Sequence, residues 1–338
     1  VEGPVYHADK ANEGLPSVNQ AQPDIASAPT AIQKFQDPDW TATGQARAVV
    51  EFGGYQTLWF NTGTLCNITC ANCYIESSPS NERLVYLSLG DVTTYLDELD
   101  EIGCGPIEIG FTGGEVFLCP DIIAILAATL ARGHTVLVLT NAMRPMMRPR
   151  VQEGLLALIA EHGPRLTFRV SLDHYTPALH DQERGAGGFA ETCAGLNWLA
   201  AQGARLAIAG RTMWGEDAQS ERDGYAALIA AQGWPIDAQD PMALVLFPEM
   251  DVKADVPEIT PACWNILGVD PHALMCASAR MVVKRQSASA PVVLACTLVA
   301  YDAGFEMGTT LKEAQKPVKL NHPHCAKFCV LGGGSCSA

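Results

Sequence analysis

From about Tyr55 onward, apolar runs of strand length alternate with segments of helical spacing, and this alternation limits the fold of the 338-residue chain more than any other feature. The strand candidates are Thr57–Asn61, Ile107–Thr112, Thr135–Thr140, Leu166–Leu172, Arg205–Gly210 and Ala243–Phe247. Between them lie helix candidates Ser88–Ile102, Pro120–Arg132, Arg150–His162, Phe189–Gln202 and Glu221–Gln232. Most open near Asp, Ser or Pro and close near Gly, as helix ends do. Such α/β alternation predicts a parallel sheet with helices outside it, either open or a full or partial barrel, with chemistry at the carboxyl ends of the strands.

After about Asp251 the alternation stops. A hairpin is readable there, as Ala279–Arg285, a polar turn through Gln286–Ala290, and Pro291–Thr297. Residues 1–50 hold Pro, Gln, Asp, Ala and Ser without helical or strand period. The expected organisation is therefore an N-terminal extension over 1–50 that carries little chemistry, an α/β body over 51–250, and a smaller unit over 251–338.

At 48% hydrophobic and 17% charged residues the chain has ample material for a buried core. A formal charge of −15 leaves no basic patch large enough to neutralise a run of phosphates, which disfavours nucleic acid and anionic membrane as partners. No apolar run approaches the ~18 residues of a membrane span, and the opening VEGPVYHADK lacks the pattern of a signal peptide, so the expected compartment is the cytoplasm. Twelve cysteines are too dilute over this length for a secreted disulfide scaffold, and clustered cysteines in a reducing compartment usually bind metal.

The first cluster follows the first strand, as Cys66-Asn-Ile-Thr-Cys70-Ala-Asn-Cys73-Tyr74. A C-x3-C-x2-C loop lets three thiolates converge on one face of an iron-sulfur cube and leaves the fourth iron without a protein ligand. The other reading is a structural zinc site, which takes four ligands, and no fourth Cys or His lies nearby in sequence. Further along, Gly113-Gly114-Glu115, Thr140-Asn141, Ser171-Leu172-Asp173 and Arg211 stand at the ends of successive strand candidates. Arg184-Gly185 with Phe189 follows the fourth strand. Taken singly these could be a turn, an N-cap or solvated loop charges.

Taken together, in this order behind the cysteine loop, they resemble the radical SAM family from about Tyr55 to Phe247. The resemblance implies a partial (β/α)6 barrel. It also implies a 4Fe-4S cluster on Cys66, Cys70 and Cys73, whose open iron takes the amino and carboxylate groups of S-adenosylmethionine (SAM). In this reading Glu115 and Arg211 pair with those two charged groups, and Gly113 and Gly114 allow close backbone approach. Asn141, Ser171 and Asp173 line the nucleoside, Tyr74 sits beside the adenine, and Arg184 belongs to the cofactor site. The family usually has proline after its GGE motif, whereas this chain has Val116, which puts the local loop geometry in question.

The second cluster comprises Cys276 and Cys296, just outside the two hairpin arms, and Cys325, Cys329 and Cys336 in the tail. It resembles the twitch and SPASM extensions that bind auxiliary iron-sulfur clusters. With Cys263 the segment has six cysteines, fewer than the full SPASM pattern, so one auxiliary 4Fe-4S cluster of the twitch type is implied. Its expected ligands are Cys276, Cys296, Cys325 and Cys329, with Cys336 the competitor. The less favoured alternative is a closed zinc site on four thiolates. His322 and His324 are expected at the surface, and Cys104, Cys119 and Cys193 as buried reduced thiols.

The activity implied is reductive cleavage of SAM to a 5′-deoxyadenosyl radical that abstracts hydrogen from a substrate. Such auxiliary-cluster enzymes commonly modify a peptide or protein side chain; a small-molecule metabolite is the alternative. A non-catalytic iron-sulfur or zinc protein is the more remote one. A low-potential electron donor such as a flavodoxin or ferredoxin is the expected partner.

Overall fold

The computed structural model describes residues 33–251 and 253–333. A two-residue strand β1 (Val49–Val50) precedes the body, whose parallel strands are β2 (Thr57–Asn61), β3 (Glu108–Thr112), β4 (Thr135–Thr140), β5 (Leu166–Ser171), β6 (Arg205–Thr212) and β7 (Leu244–Pro248). Each pairs with the next in chain order. Helices α1 (Leu89–Glu101), α2 (Ile122–Ala131) and α3 (Pro149–His162) fill the first three crossovers. Helices α4 (Pro177–Arg184) and α5 (Gly188–Ala201) share the fourth, and α6 (Ala218–Gln232) fills the fifth. With β7 at one edge the sheet stays open, which makes the body the partial barrel expected.

Local chemistry explains these elements. Ser88 and Asp91 form a capping box at the start of α1, whose buried Val92, Tyr95, Leu96 and Leu99 recur at helical spacing. Asp217 caps α6 by accepting from the amides of Gln219 and Ser220. Along β2 the faces alternate: Leu58 and Phe60 join the helix-side core, where Phe60 stacks on Phe111 at 5.6 Å. Trp59 joins a second apolar cluster with Leu137, Met281 and Leu294. Helix α4 has no counterpart among the sequence expectations. It is eight residues long and buries only His180 and Glu183, too few positions to show a period.

The hairpin stands where it is expected, as β8 (Ala279–Val283) and β9 (Val292–Leu294), which pair antiparallel. Strand β8 also pairs parallel with β2, so the hairpin continues the barrel sheet beyond its first strand. A further strand, β10 (Glu306–Gly308), forms the other edge. The remaining elements include β11 (Val318–Lys319), the short helix α7 (Ala262–Leu267) and a helical stretch over Cys325–Val330.

Within the expected extension, residues 33–50 pack on the C-terminal segment. Strand β1 pairs with β11, and buried Arg47 donates to Glu258 at 2.6 Å. Glu258 also accepts from the amides of Phe35 and Ala42, and these bonds outweigh burial and hold its carboxyl below the usual range. Residues 1–32 lie outside the described part.

Candidate active site at the carboxyl ends of the strands

Strands β3 to β7 end around a single cavity. Cys66, Cys70, Cys73 and Tyr74 line it from the loop after β2. Gly113 and Gly114 follow β3, Asn141 follows β4, and Ser171 and Asp173 stand at the end of β5. Arg184 enters from α4 and Arg211 from β6. Eleven sequence-predicted residues of the first site, scattered over 146 positions from Cys66 to Arg211, thus line one cavity.

The two glycines are required by a backbone contact. A side chain on Gly113, whose φ is +146°, would place its Cβ 2.4 Å from the Gly63 carbonyl oxygen; on Gly114 it would meet the Leu65 carbonyl oxygen at 2.1 Å. The contact is sealed by bonds from Gly114 N to Gly63 O (2.8 Å) and from Glu115 N to Leu65 O (3.0 Å). The close approach permitted by glycine is therefore to the segment after β2 that leads into the cysteine loop.

Glu115 differs from expectation. Its carboxylate is fully buried behind the wall, where it accepts from Thr140 Oγ1 (2.8 Å), Asn141 N (2.9 Å) and Phe117 N (3.2 Å). Burial pushes the carboxyl up against the pull of these bonds. The residue that the motif suggests for an ammonium instead braces the β4 end. Val116 replaces the usual proline without disrupting the turn and starts a 3₁₀ turn through Leu118.

Asp173 is the charged hub. It receives Arg184 Nε at 2.5 Å and Arg184 Nη2 at 3.0 Å, and Arg211 Nε stands 3.3 Å from Oδ1. Burial works against its charge, but the two arginines hold the carboxyl below the usual range. Burial also opposes the Arg184 charge, which Asp173 and the nearby Cys70 and Cys66 more than restore. Arg211 is thus paired within the protein, and its Nη1 donates to Asn72 O at 3.0 Å.

Burial pushes the Cys66 thiol up to about 12 and the Cys70 thiol up as well, while the Arg184 charge pulls the other way on both. Cys73 accepts from Ser77 N at 3.3 Å. Asn141 Nδ2 donates to Asn67 Oδ1 (2.9 Å) and reaches Cys66 Sγ at 3.9 Å. Three thiols beside a guanidinium, with no His lining the cavity among the described residues, form a soft donor set that suits one thiolate per iron of a cluster. Among the described residues no three His, Cys, Asp or Glu side chains are grouped to hold a single metal ion.

Sequence reading missed several members of the site. Asn67 and Asn72 lie between the cysteines, where Asn67 Oδ1 accepts from Asn141, Asn72 Nδ2 donates to Glu183 and Asn72 O accepts from Arg211. Buried His180 accepts from Asp173 N at 3.2 Å, and burial lowers its pKa to about 4. Phe247, Met250, Leu298 and Phe328 form an apolar side of the cavity, with Phe247 and Phe328 stacked at 5.5 Å. Leu298 and Phe328 come from the C-terminal segment, so the region after the barrel contributes to the same cavity.

In that segment Cys276 precedes β8 and Cys296 follows β9, at the same end of the hairpin. Cys325 lies close enough to Cys276 that the two thiols interact electrostatically, and burial drives Cys325 up to about 12. Arg280 lies near both Cys276 and Cys296. Cys325 and Cys329 sit four apart in one helical stretch, half-buried against the same core as Cys276 and Cys296. Cys263 is half-buried and accepts from Thr260 N at 3.5 Å. Cys336 lies outside the described residues.

His324 corrects the surface expectation. It is buried, with its ring 4.7 Å from that of His322, because the chain turns inward there to start the Cys325–Val330 helix. Cys119 and Cys193 are buried as expected, and Cys104 is half-buried with its thiol 3.7 Å from Tyr55 O.

An open parallel barrel with a thiol-lined cavity at its strand ends defines a class in which the fold presents a metal cluster and a small cofactor on one wall. Residues 60–215 match the family described as the Radical SAM superfamily. The chain is 34% identical over 145 residues to the antilisterial bacteriocin subtilosin biosynthesis protein AlbA of Bacillus subtilis (strain 168), covering 43% of this chain and 30% of that protein. It is 31% identical over 138 residues to the mycofactocin maturase MftC of Mycobacterium ulcerans (strain Agy99), covering 41% and 34%. The matches span about a third of the length of each of these relatives. In fold it resembles Streptococcus suis SuiB, solved with the precursor peptide SuiA, at a TM-score of 0.54 and 10% identity over 79% of this chain and 64% of that one.

Proposed function

We propose that this protein is a radical SAM enzyme that modifies a peptide or protein side chain. The observation that carries the reading is the convergence of Cys66, Cys70 and Cys73 with Asn141, Ser171, Asp173, Arg184 and Arg211 on one cavity at the strand ends. The bacteriocin-biosynthesis and maturase relatives, and the fold shared with a protein solved with its precursor peptide, favour a peptide over a small metabolite.

The three cysteines would hold a 4Fe-4S cluster, which together with SAM supplies a 5′-deoxyadenosyl radical able to take hydrogen from a substrate. The chain's own residues bind, orient and shield. Gly113 and Gly114 bring the β3 end against the cluster loop, and Glu115 holds the β4 end so that Asn141 faces inward. Asp173 and Ser171 offer oxygens to a nucleoside, and Tyr74 offers a ring beside it. Arg211 is poised to exchange part of its pairing with Asp173 for the cofactor carboxylate. Phe247, Met250, Leu298 and Phe328 exclude water from the side facing the C-terminal segment.

In this reading residues 51–250 are the catalytic barrel and 251–338 an auxiliary-cluster unit. Cys276, Cys296, Cys325 and Cys329 serve as ligands and Cys336 as the competitor, and a flavodoxin or ferredoxin supplies electrons in the cytoplasm. No helix among the described residues is long and apolar enough to cross a membrane. The test is anaerobic reconstitution with iron and sulfide, then SAM and dithionite, with 5′-deoxyadenosine followed by chromatography. Wild type should form it and a Cys66/Cys70/Cys73→Ala variant should not; equal amounts from both would refute the assignment.

A further inference from the structure

The loop between Cys70 and Cys73 is held from outside at three points. Ala71 N donates to Glu183 O at 2.9 Å, Asn72 Nδ2 donates to Glu183 Oε1 at 2.8 Å, and Asn72 O accepts from Arg211 Nη1 at 3.0 Å. The two anchors are themselves joined. Arg184, next to Glu183 in α4, grips Asp173 through two bonds, and Arg211 pairs with the same carboxylate. Asn72, Glu183–Arg184, Asp173 and Arg211 therefore close a circuit that ties the cysteine loop to the part of the cavity wall formed by the β5 and β6 ends.

Glu183 is held there against its own preferences. It is 3% exposed, its second carboxylate oxygen has no hydrogen-bond partner among the described residues, and it sits in the last turn of α4, where the helix dipole disfavours negative charge. Asn72 is exposed, and its side chain would be free to stay in water without this contact. A buried acid and an exposed amide meeting at 2.8 Å fix the loop between two ligand cysteines, where a small displacement would move both thiols.

We propose that Glu183, through Asn72, is a positioning residue that sets the Cys70–Cys73 loop against Asp173 and so couples the cluster to the bound SAM. The inference rests on the cluster reading of Cys66, Cys70 and Cys73. It goes beyond that reading by assigning a role to two residues outside the cysteine and SAM-facing sets.

The test uses the full chain, reconstituted anaerobically, in four forms besides wild type: Glu183→Ala, Glu183→Gln, Asn72→Ala and the Glu183→Ala/Asn72→Ala double variant. Two readouts are followed, the change that SAM causes in the electron paramagnetic resonance spectrum of the dithionite-reduced protein, and the rate at which a chelator removes iron. Glu183→Ala and Asn72→Ala should each lose most of the SAM-induced change and release iron about tenfold faster, the factor that follows from losing one hydrogen bond. Glu183→Gln keeps an acceptor for Asn72 and should restore both. The double variant should be no worse than either single one.

Asn72→Ala alters an exposed side chain, so it reports on the clamp even if Glu183→Ala folds poorly. Wild-type behaviour of Asn72→Ala would overturn the proposal, as would a Glu183→Gln variant no better than Glu183→Ala. A wild type whose spectrum ignores SAM would overturn the underlying cluster reading, and this inference with it.

Discussion

Replacing Gly114 with alanine tests the close contact on which the cysteine loop rests. The added Cβ would lie 2.1 Å from the Leu65 carbonyl oxygen, 2.6 Å from the Leu65 carbonyl carbon and 2.8 Å from the Thr64 carbonyl oxygen. All three are backbone atoms one or two residues before Cys66, so no side chain can swing away to relieve the clash. The two segments must part by about an ångström. Forcing a methyl into packed structure costs about 1–3 kcal/mol. Losing the bonds from Gly114 N and Glu115 N to Gly63 O and Leu65 O adds about 1 kcal/mol each. The expected loss is about 3–5 kcal/mol, together with a displaced Cys66. Urea unfolding of the apo-protein reads the first effect, and iron bound after anaerobic reconstitution reads the second. A variant within about 0.5 kcal/mol of wild type that also takes up the full complement of iron would refute the reasoning.

Glu221 gives a pH prediction. It is buried at α6, its two carboxylate oxygens have no hydrogen-bond partner among the described residues, and burial, with Glu216 and Asp217 adding repulsion, raises its carboxyl to about 7. Because the folded form holds its proton to higher pH than the unfolded form, stability is greatest below the ordinary carboxylate value and falls as pH rises toward 7. Glu221→Gln should flatten that slope and stabilise the protein at pH 8 by at most about 3 kcal/mol, as read by urea unfolding at pH 5 and 8. An unchanged slope would sink the assignment. Arg47→Ala leaves Glu258 buried without its cation and should cost about 3–5 kcal/mol, and loosen residues 33–50 in hydrogen exchange. A loss below about 1 kcal/mol would show that the pair does not tie that segment down.

Much of the barrel was legible because its signals are local. The strand runs Thr57–Asn61 and Thr135–Thr140 are apolar stretches between breakers, and the observed strands match them residue for residue. The Asp217-to-Gly233 helix is framed by a cap and a left-handed glycine, yet its first turn holds no large apolar residue, and the expected start at Glu221 falls three residues late. Long-range pairing leaves no such trace. Nothing in Ala279–Val283 announces that its parallel partner is β2, more than 200 residues earlier. At the site, motif order located the wall, but residue type does not give side-chain direction. Glu115 looked like an ammonium partner and faces inward because Thr140 and Asn141 offer it two closer donors. Glu183 and Asn72 carry no motif, and only the unexpected helix α4 brings them together.

In the proposed function everything depends on Cys66, Cys70 and Cys73 holding a cluster open to SAM. The most direct measurement is electron paramagnetic resonance of the reduced, reconstituted protein, recorded with and without SAM, on wild type and on a Cys66/Cys70/Cys73→Ala variant. The wild-type signal should change with SAM, and the variant should bind less iron and give a remaining signal that ignores SAM. A variant whose signal still responds to SAM as wild type does would contradict the cluster assignment.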